Sequence, residues 1–327
     1  MNAIAALDRK EHTEQALTVL CADIGGSKLA AGLADQDGHI LVDKRYPLTD
    51  LSPDTMVREV VRALQEVAAL FPGCTPAAIG ATIPGLADAA RGVWVESSFS
   101  GIRNVPIAGM LEEAIGLPAF ILNDIQACAL AERRFGCCRD TDDFLWVTVS
   151  NGIGGAVFSN GQLMRGSSGN AGEIGHVVVV EGEGARLCKC GNHGCAEIHA
   201  SGRAIPENYR EMGGSGHPGA KEIAELARKG DSAAIRTWQL EGVLLGRAIG
   251  AAVNLLNPAK VVIGGGVSHS FDLFENALRD TLGTHIYRSA NPSVSLQPSP
   301  LYDQAGLLGA ACLAWRGIRA DMEGGFI

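Results

Sequence analysis

Two segments far apart in the chain read as the same unit, a strand leading into a glycine-rich turn and a second strand leading out. In the first, Val19-Leu20-Cys21-Ala22-Asp23-Ile24 runs into Gly25-Gly26-Ser27-Lys28 and leaves through Leu29-Ala30-Ala31-Gly32-Leu33-Ala34. In the second, Leu145-Trp146-Val147-Thr148-Val149 runs into Ser150-Asn151-Gly152-Ile153-Gly154-Gly155 and leaves through Ala156-Val157-Phe158. Each is followed by a further turn, at Asp35-Gln36-Asp37-Gly38 and at Ser159-Asn160-Gly161. Such long-range self-similarity points to two lobes of one ancestral fold, each opening with a β-hairpin whose turn faces a shared cleft. Behind the first hairpin the periodicity predicts a helix over 55–70, a strand over 78–83, a helix over 105–115 and a strand over 119–122. Behind the second it predicts helices over 220–229, 232–256 and 271–282, with a buried strand over 261–263. Alternation of this kind is that of an α/β fold with largely parallel central pairing.

At 327 residues the chain is long enough for two cores. Its 46% hydrophobic and 19% charged residues are those of a globular protein. A net charge of −9 with no basic run argues against a nucleic-acid surface, which draws its affinity from Lys and Arg on phosphates. Asp8, Arg9, Lys10, Glu11 and Glu14 break up any apolar leader, and no apolar stretch is long enough for a bilayer, so neither secretion nor a membrane partner is expected. Of nine cysteines, Cys21, Cys74, Cys128, Cys137, Cys138 and Cys312 show no disulfide-framework spacing, which fits a reducing cytoplasm.

The other three cysteines lie in Cys188-Lys189-Cys190-Gly191-Asn192-His193-Gly194-Cys195, shortly after Gly172-Glu173-Ile174-Gly175-His176. A turn through Gly191 and Gly194 lets the sulfurs converge, and His176 supplies a fourth ligand for a structural zinc ion, with His193 as its rival. The spacing is not that of paired CxxC knuckles, so a reduced thiol cluster or a redox pair stands beside the zinc reading. Glu173 and Glu197 flank this region and offer acceptors to a polyhydroxyl ligand, or are ordinary solvated carboxylates.

Asp23 through Lys28 is a candidate phosphate turn: glycines admit backbone N–H groups to phosphate oxygens, and Asp23 at the strand end is placed to hold magnesium through water. A bland hairpin turn looks much the same, and neither the Walker nor the Rossmann pattern is present. Asn151, Gly152, Gly154 and Gly155 form the second candidate. Gly264-Gly265-Gly266 follows a strand and precedes a helix, where a nucleotide can lie against bare backbone or where the chain merely turns tightly. Asn123-Asp124 closes the strand over 119–122, a place where ligands collect in α/β folds. Asp124 there is either a proton acceptor for an attacking hydroxyl or the N-cap of the following helix.

These motifs in this order resemble the ROK family (repressors, open reading frames and kinases) of the sugar kinase, Hsp70 and actin superfamily. The resemblance is carried by Asp23 through Lys28, Pro84-Gly85, Asn123-Asp124, Gly152 through Gly155, Ala171 through His176, and Cys188-Lys189-Cys190-Gly191 with Gly194-Cys195 and Glu197; it covers the chain from about Thr18 to near its end. It implies a two-lobed ribonuclease-H-like fold with ATP and sugar in the interlobe cleft. The lobes implied are 18–124, with a C-terminal helix at about 311–327 packing back on it, and 125–310, containing the metal loop 176–195; residues 1–17 are expected to be a disordered extension. The implied activity is ATP-dependent phosphorylation of a hexose or N-acetylhexosamine at its 6-hydroxyl. By the resemblance Asp124 is the base, and Gly85, Asn123, Glu173, His176 and Glu197 surround the sugar. Asp23, Gly25, Gly26, Ser27, Lys28, Asn151, Gly152, Gly154, Gly155, Gly265 and Gly266 take the nucleotide with its magnesium. Zinc sits on His176, Cys188, Cys190 and Cys195, and a homodimer or homotetramer is favoured.

Three positions depart from the family pattern. Ser98, within Ser97-Ser98-Phe99-Ser100-Gly101-Ile102, stands where many family kinases have a sugar-contacting Asn, which leaves the hexose open. Gln126 after Asn123-Asp124 is similar to some N-acetylmannosamine kinases, so that sugar or N-acetylglucosamine is an alternative substrate. Asn151 replaces a common Thr. A sugar-responsive repressor of the same family is disfavoured, because the 22 residues ahead of Asp23 are too few for its winged helix-turn-helix.

Overall fold

The computed structural model describes residues 17–97 and 100–323. All but Leu17 of the expected 1–17 extension, and Ser98, lie outside the described residues. The chain divides into two compact units, one made of the described residues up to Leu122 together with those from Ala310 on, the other of Asn123–Gly309.

In the first unit β1 (Thr18–Ile24), β2 (Lys28–Ala34) and β3 (Ile40–Pro47) form an antiparallel meander. Helix α1 (Pro53–Ala69) starts at Ser52 with Pro53 pre-set for its first turn, and Met56, Val60, Ala63, Leu64 and Val67 make one buried face. It leads to β4 (Pro76–Ile83), which pairs parallel with β1. A small antiparallel sheet of β5 (Leu86–Asp88), β6 (Val93–Glu96) and β7 (Arg103–Val105) follows. Helix α2 (Ile107–Ile115) then stops at left-handed Gly116, and β8 (Ala119–Asn123) completes a main sheet of order β3-β2-β1-β4-β8.

The second unit opens with α3 (Asp124–Arg134), then β9 (Phe144–Val149), β10 (Ile153–Ser159) and the short β11 (Gln162–Leu163), again an antiparallel series. A long loop carries the cysteines to α4 (Ala196–Ala200), α5 (Ile205–Glu211), α6 (Ala220–Arg228) and the 25-residue α7 (Ser232–Leu256). Asp231 caps α7 by accepting from Ala234 N at 2.8 Å. Strand β12 (Lys260–Gly264) pairs parallel with β9 and with β13 (Ser295–Pro298), which follows α8 (Phe271–His285). Helix α9 (Ala305–Glu323) begins in this unit and ends in the first, where Trp315 Nε1 donates to Asp35 O at 3.2 Å.

The sheet orders β3-β2-β1-β4-β8 and β11-β10-β9-β12-β13 correspond strand for strand, which is the repeat read from the sequence. Both opening hairpins are antiparallel, as the sequence predicts, and parallel pairing runs between β1 and β4, β9 and β12, and β12 and β13. One core lies between the first main sheet and α1 and α2; the other lies between the second sheet and α4 to α8, where Trp238 and Phe274 stack at 6.0 Å.

Candidate functional site

In the first unit the residues singled out in the sequence lie on the β1–β2 turn and in the loop after β4. Gly25 N donates to Lys28 O at 2.9 Å, closing a tight turn that leaves Gly26, Ser27 and Lys28 exposed. Asp23 lies beside Thr82 of β4, whose Oγ1 donates to Asp23 Oδ1 at 2.7 Å. Burial pushes the Asp23 carboxyl above its ordinary range, while the Thr82 hydrogen bond and the charges of Lys28 and Arg45 pull it back. Gly85 takes φ of 92° in the loop between β4 and β5; that loop is pinned by buried Trp94, whose Nε1 donates to Pro84 O at 2.9 Å.

In the second unit, β10 is the bench on which the other pieces are assembled. Its turn is Ser150-Asn151-Gly152, closed by Ser150 N donating to Gly152 O at 2.9 Å. Gly154 and Gly155, expected on the turn, are inside β10 and buried. Their part is packing: a Cβ on Gly154 would lie 2.3 Å from Ile125 Cδ1, so the missing side chain is what lets the start of α3 sit down on the strand. Gly175 meets the same strand with its bare backbone, since a Cβ there would fall 2.1 Å from Ile153 O. Helix α3 and the Glu173–His176 segment are thereby set against consecutive residues of β10, just past its turn.

The helix N-cap is Asn123, not Asp124. Asn123 Oδ1 accepts from Ile125 N at 3.0 Å and Gln126 N at 3.1 Å, and Asn123 Nδ2 donates to Asp124 Oδ1 at 3.0 Å. Asp124 is the first helical residue, with its Oδ1 also accepting from Ile125 N at 2.9 Å, where the positive end of the helix favours a carboxylate. The far end of α3 is fixed as well: buried Glu132 accepts from the Ser299 hydroxyl and from Cys137 N. Gln126 ties α3 to the loop ahead of Glu173 by donating to Gly169 O at 2.9 Å.

His176, Cys188, Cys190 and Cys195 bring one ligand atom each within 4.8 Å of one another. Cys188 Sγ is 3.7 Å from His176 Nδ1 and Cys190 Sγ is 3.6 Å from Cys195 Sγ. A tetrahedron with metal–sulfur bonds of about 2.3 Å has sulfur–sulfur edges of about 3.8 Å, so the donor set fits a closed zinc site. Burial pushes the Cys195 thiol up to about 12, whereas Asn192 N–H donation lowers that of exposed Cys190. His193 is exposed, pairs by its backbone with Leu187, and is outside this four-residue cluster. The His176 ring turns its other nitrogen, Nε2, toward Glu173 Oε2 at 3.8 Å. Arg186 clamps the cysteine loop to α5 through Glu207 at 3.2 Å, Asn208 at 2.5 Å and Glu211 at 3.0 Å.

A cavity of about 690 Å³ opens beside the β9–β10 turn, bounded by Ser150 and Asn151, by Gly266 and Val267 after β12, and by α6. Gly265 stands next to it at φ of 84°, where a Cβ would fall 2.4 Å from Val149 O. Sequence reasoning found Asn151 and Gly266 but not the α6 wall of Lys221, Ala224, Glu225 and Arg228, nor His269. Nothing in those residue types marks them; α6 reads simply as an amphipathic helix with a solvated face.

The ROK family model matches residues 19–316. The glucokinase of Thermotoga maritima is 33% identical over 91% of this chain and 97% of its own length. The DNA-binding transcriptional dual regulator NagC of Escherichia coli K12 is 31% identical over 87% of this chain and 72% of its own length. Among solved structures, a ROK family glucokinase from Streptomyces griseus in complex with glucose and AMPPNP superposes with a TM-score of 0.81 at 30% identity, covering 92% of this chain and all of that one.

Proposed function

The chain belongs to the ROK family, and we propose that within it this protein is an ATP-dependent kinase that phosphorylates the 6-hydroxyl of a hexose or N-acetylhexosamine. The observation that carries the reading is the arrangement at the start of α3: Asn123 takes over the capping of the helix and holds Asp124 beside it as a carboxylate at a helix N-terminus. Asp124 is the group that takes the proton from the attacking sugar hydroxyl. Asn123, Gly85, Glu173, His176 and Glu197 bind and orient the ring.

Phosphoryl transfer proceeds through a loose transition state, so the protein's share is positioning and charge stabilisation. The exposed turn at Gly25, Gly26, Ser27 and Lys28 offers N–H groups and a cation to phosphate oxygens, as do Asn151 and Gly152. The 690 Å³ cavity at Gly266 takes the base and ribose. Asp23 would hold the magnesium bound with ATP, which would neutralise phosphate charge. His176, Cys188, Cys190 and Cys195 would hold a structural zinc ion, which would fix the His176 ring with its Nε2 on the side of Glu173. A homodimer or homotetramer in the cytoplasm completes the proposal; among the described residues no helix is long and apolar enough to cross a membrane.

Kinases and a DNA-binding regulator are both relatives of this chain, so a sugar-responsive regulator is the second reading. A coupled ADP-release assay with ATP and magnesium against glucose, mannose, allose, fructose, N-acetylglucosamine and N-acetylmannosamine separates the two. Sugar-dependent ADP release from at least one is expected, and a preference for N-acetylmannosamine would place the substrate with the Gln126 similarity. Sugar binding without turnover would overturn the kinase reading in favour of the regulator.

A further inference from the structure

Glu197 stands on the first turn of α4, two residues after Cys195 of the cysteine loop, yet its carboxylate reaches the β9–β10 turn. Ile153 N donates to Glu197 Oε2 at 3.0 Å. The contact depends on Gly152, where a Cβ would lie 2.4 Å from that same oxygen. A second bond, Gly202 N to Ser150 O at 2.7 Å, holds the other end of the α4 segment to the same turn. Glu197 is half-buried, and its remaining oxygen, Oε1, has no partner among the described residues.

We infer that Glu197 couples the sugar site to the nucleotide site: one carboxylate oxygen fixes the phosphate turn while the other accepts from a sugar hydroxyl, so each ligand binds more tightly when the other is present. The inference rests on the sugar-kinase reading above. A half-buried carboxylate on a short helix has some rotational freedom. A sugar hydroxyl on Oε1 removes it and presents Oε2 squarely to Ile153 N, so the turn is ordered before the nucleotide arrives. The ordering is then shared between the ligands, and by linkage the gain is the same from either side.

Two substitutions cut the coupling at its two ends. Glu197→Gln keeps a carbonyl for Ile153 N but replaces the charged free acceptor by a neutral N–H donor, so it weakens the sugar end and leaves the turn braced. Gly152→Ala pushes the carboxylate off the turn; the atom displaced is the tip of a flexible side chain, and Gly152 is not in a left-handed conformation, so the fold tolerates it. The experiment is calorimetric titration of magnesium–AMPPNP into each protein with and without saturating sugar, the sugar being the one that turns over fastest in the panel above. Absence of turnover on every sugar sinks the kinase reading before this step; once turnover is established the coupling is tested alone. The wild type is expected to bind the nucleotide about fivefold or more tightly with sugar present, the lower end of ordinary coupling. Both variants should fall to within about twofold, Glu197→Gln with its sugar-free nucleotide affinity kept. A wild-type ratio near one, or a variant that retains the wild-type ratio, overturns the proposal. So does a Glu197→Gln protein that loses nucleotide affinity equally in both conditions, since that is the behaviour of a mere brace.

Discussion

Asp124 owes its position to Asn123, which relieves it of the capping duty that an Asp in this place usually performs. Replacing Asp124 by Asn keeps size and hydrogen bonding but removes the proposed proton acceptor, and general-base catalysis is worth about 10²–10⁴ in rate. Asp124→Asn should therefore lower kcat by at least two orders of magnitude, with KM for sugar within a few-fold; steady-state kinetics showing near-normal kcat would remove Asp124 from the mechanism. A different carboxyl matters to stability. Glu241 in α7 is fully buried, both its oxygens lack partners among the described residues, and burial holds its pKa well above the ordinary carboxyl value. The folded chain then binds a proton that the unfolded chain has lost above about pH 4.3, so this group's contribution to stability falls as pH rises toward the folded pKa. Glu241→Gln lacks that slope. Whatever fixed cost the amide carries, the stability of the variant minus that of the wild type should grow between pH 5 and 8 by up to about 1.4 kcal/mol per unit, measured by urea unfolding; a constant difference would mean that Glu241 is ionised in the fold.

Among the elements, the cysteine loop and β10 carry the site. The donor set of His176, Cys188, Cys190 and Cys195 should hold about one zinc per chain by metal analysis, and removal of the metal with a chelator should lower the melting temperature. A metal-free protein with unchanged melting and turnover would leave the cluster a set of free thiols. Gly175 lies against the backbone of Ile153, which cannot step aside, so Gly175→Ala should cost about 1–3 kcal/mol in a denaturant titration; a smaller loss would show that the segment shifts easily. The cysteine loop was legible because soft ligands near a histidine have few other uses, and the two hairpins were legible from strand periodicity broken by glycine. The second turn was misjudged by its glycines: Gly154 and Gly155 look like turn residues, but they are strand residues made small so that Ile125 and the Gly172–His176 segment can approach. The bond from Glu197 to Ile153 N spans 44 positions and leaves no local pattern. Strands β5 to β7 and β13 are three or four residues long, too short for a period to show.

At the scale of the whole molecule, matching strand orders in the two units express one architecture used twice, with the 690 Å³ cavity, Asp124 and the His176–cysteine cluster all in the second. The first unit holds the turn proposed for phosphate, with Gly26, Ser27 and Lys28 exposed, and the Pro84-Gly85 loop held by Trp94. Light scattering should give two or four times the chain mass of 34.1 kDa, and a monomer at working concentration would correct the assembly proposed. Whether this chain is a sugar kinase is read most directly by phosphorus NMR of a mixture of the protein, magnesium–ATP and the sugar panel. Growth of an ADP signal together with a phosphomonoester coupled to the protons on carbon 6 of one sugar is the result predicted. ADP accompanied only by inorganic phosphate, or no change in ATP while sugar is bound, would contradict it.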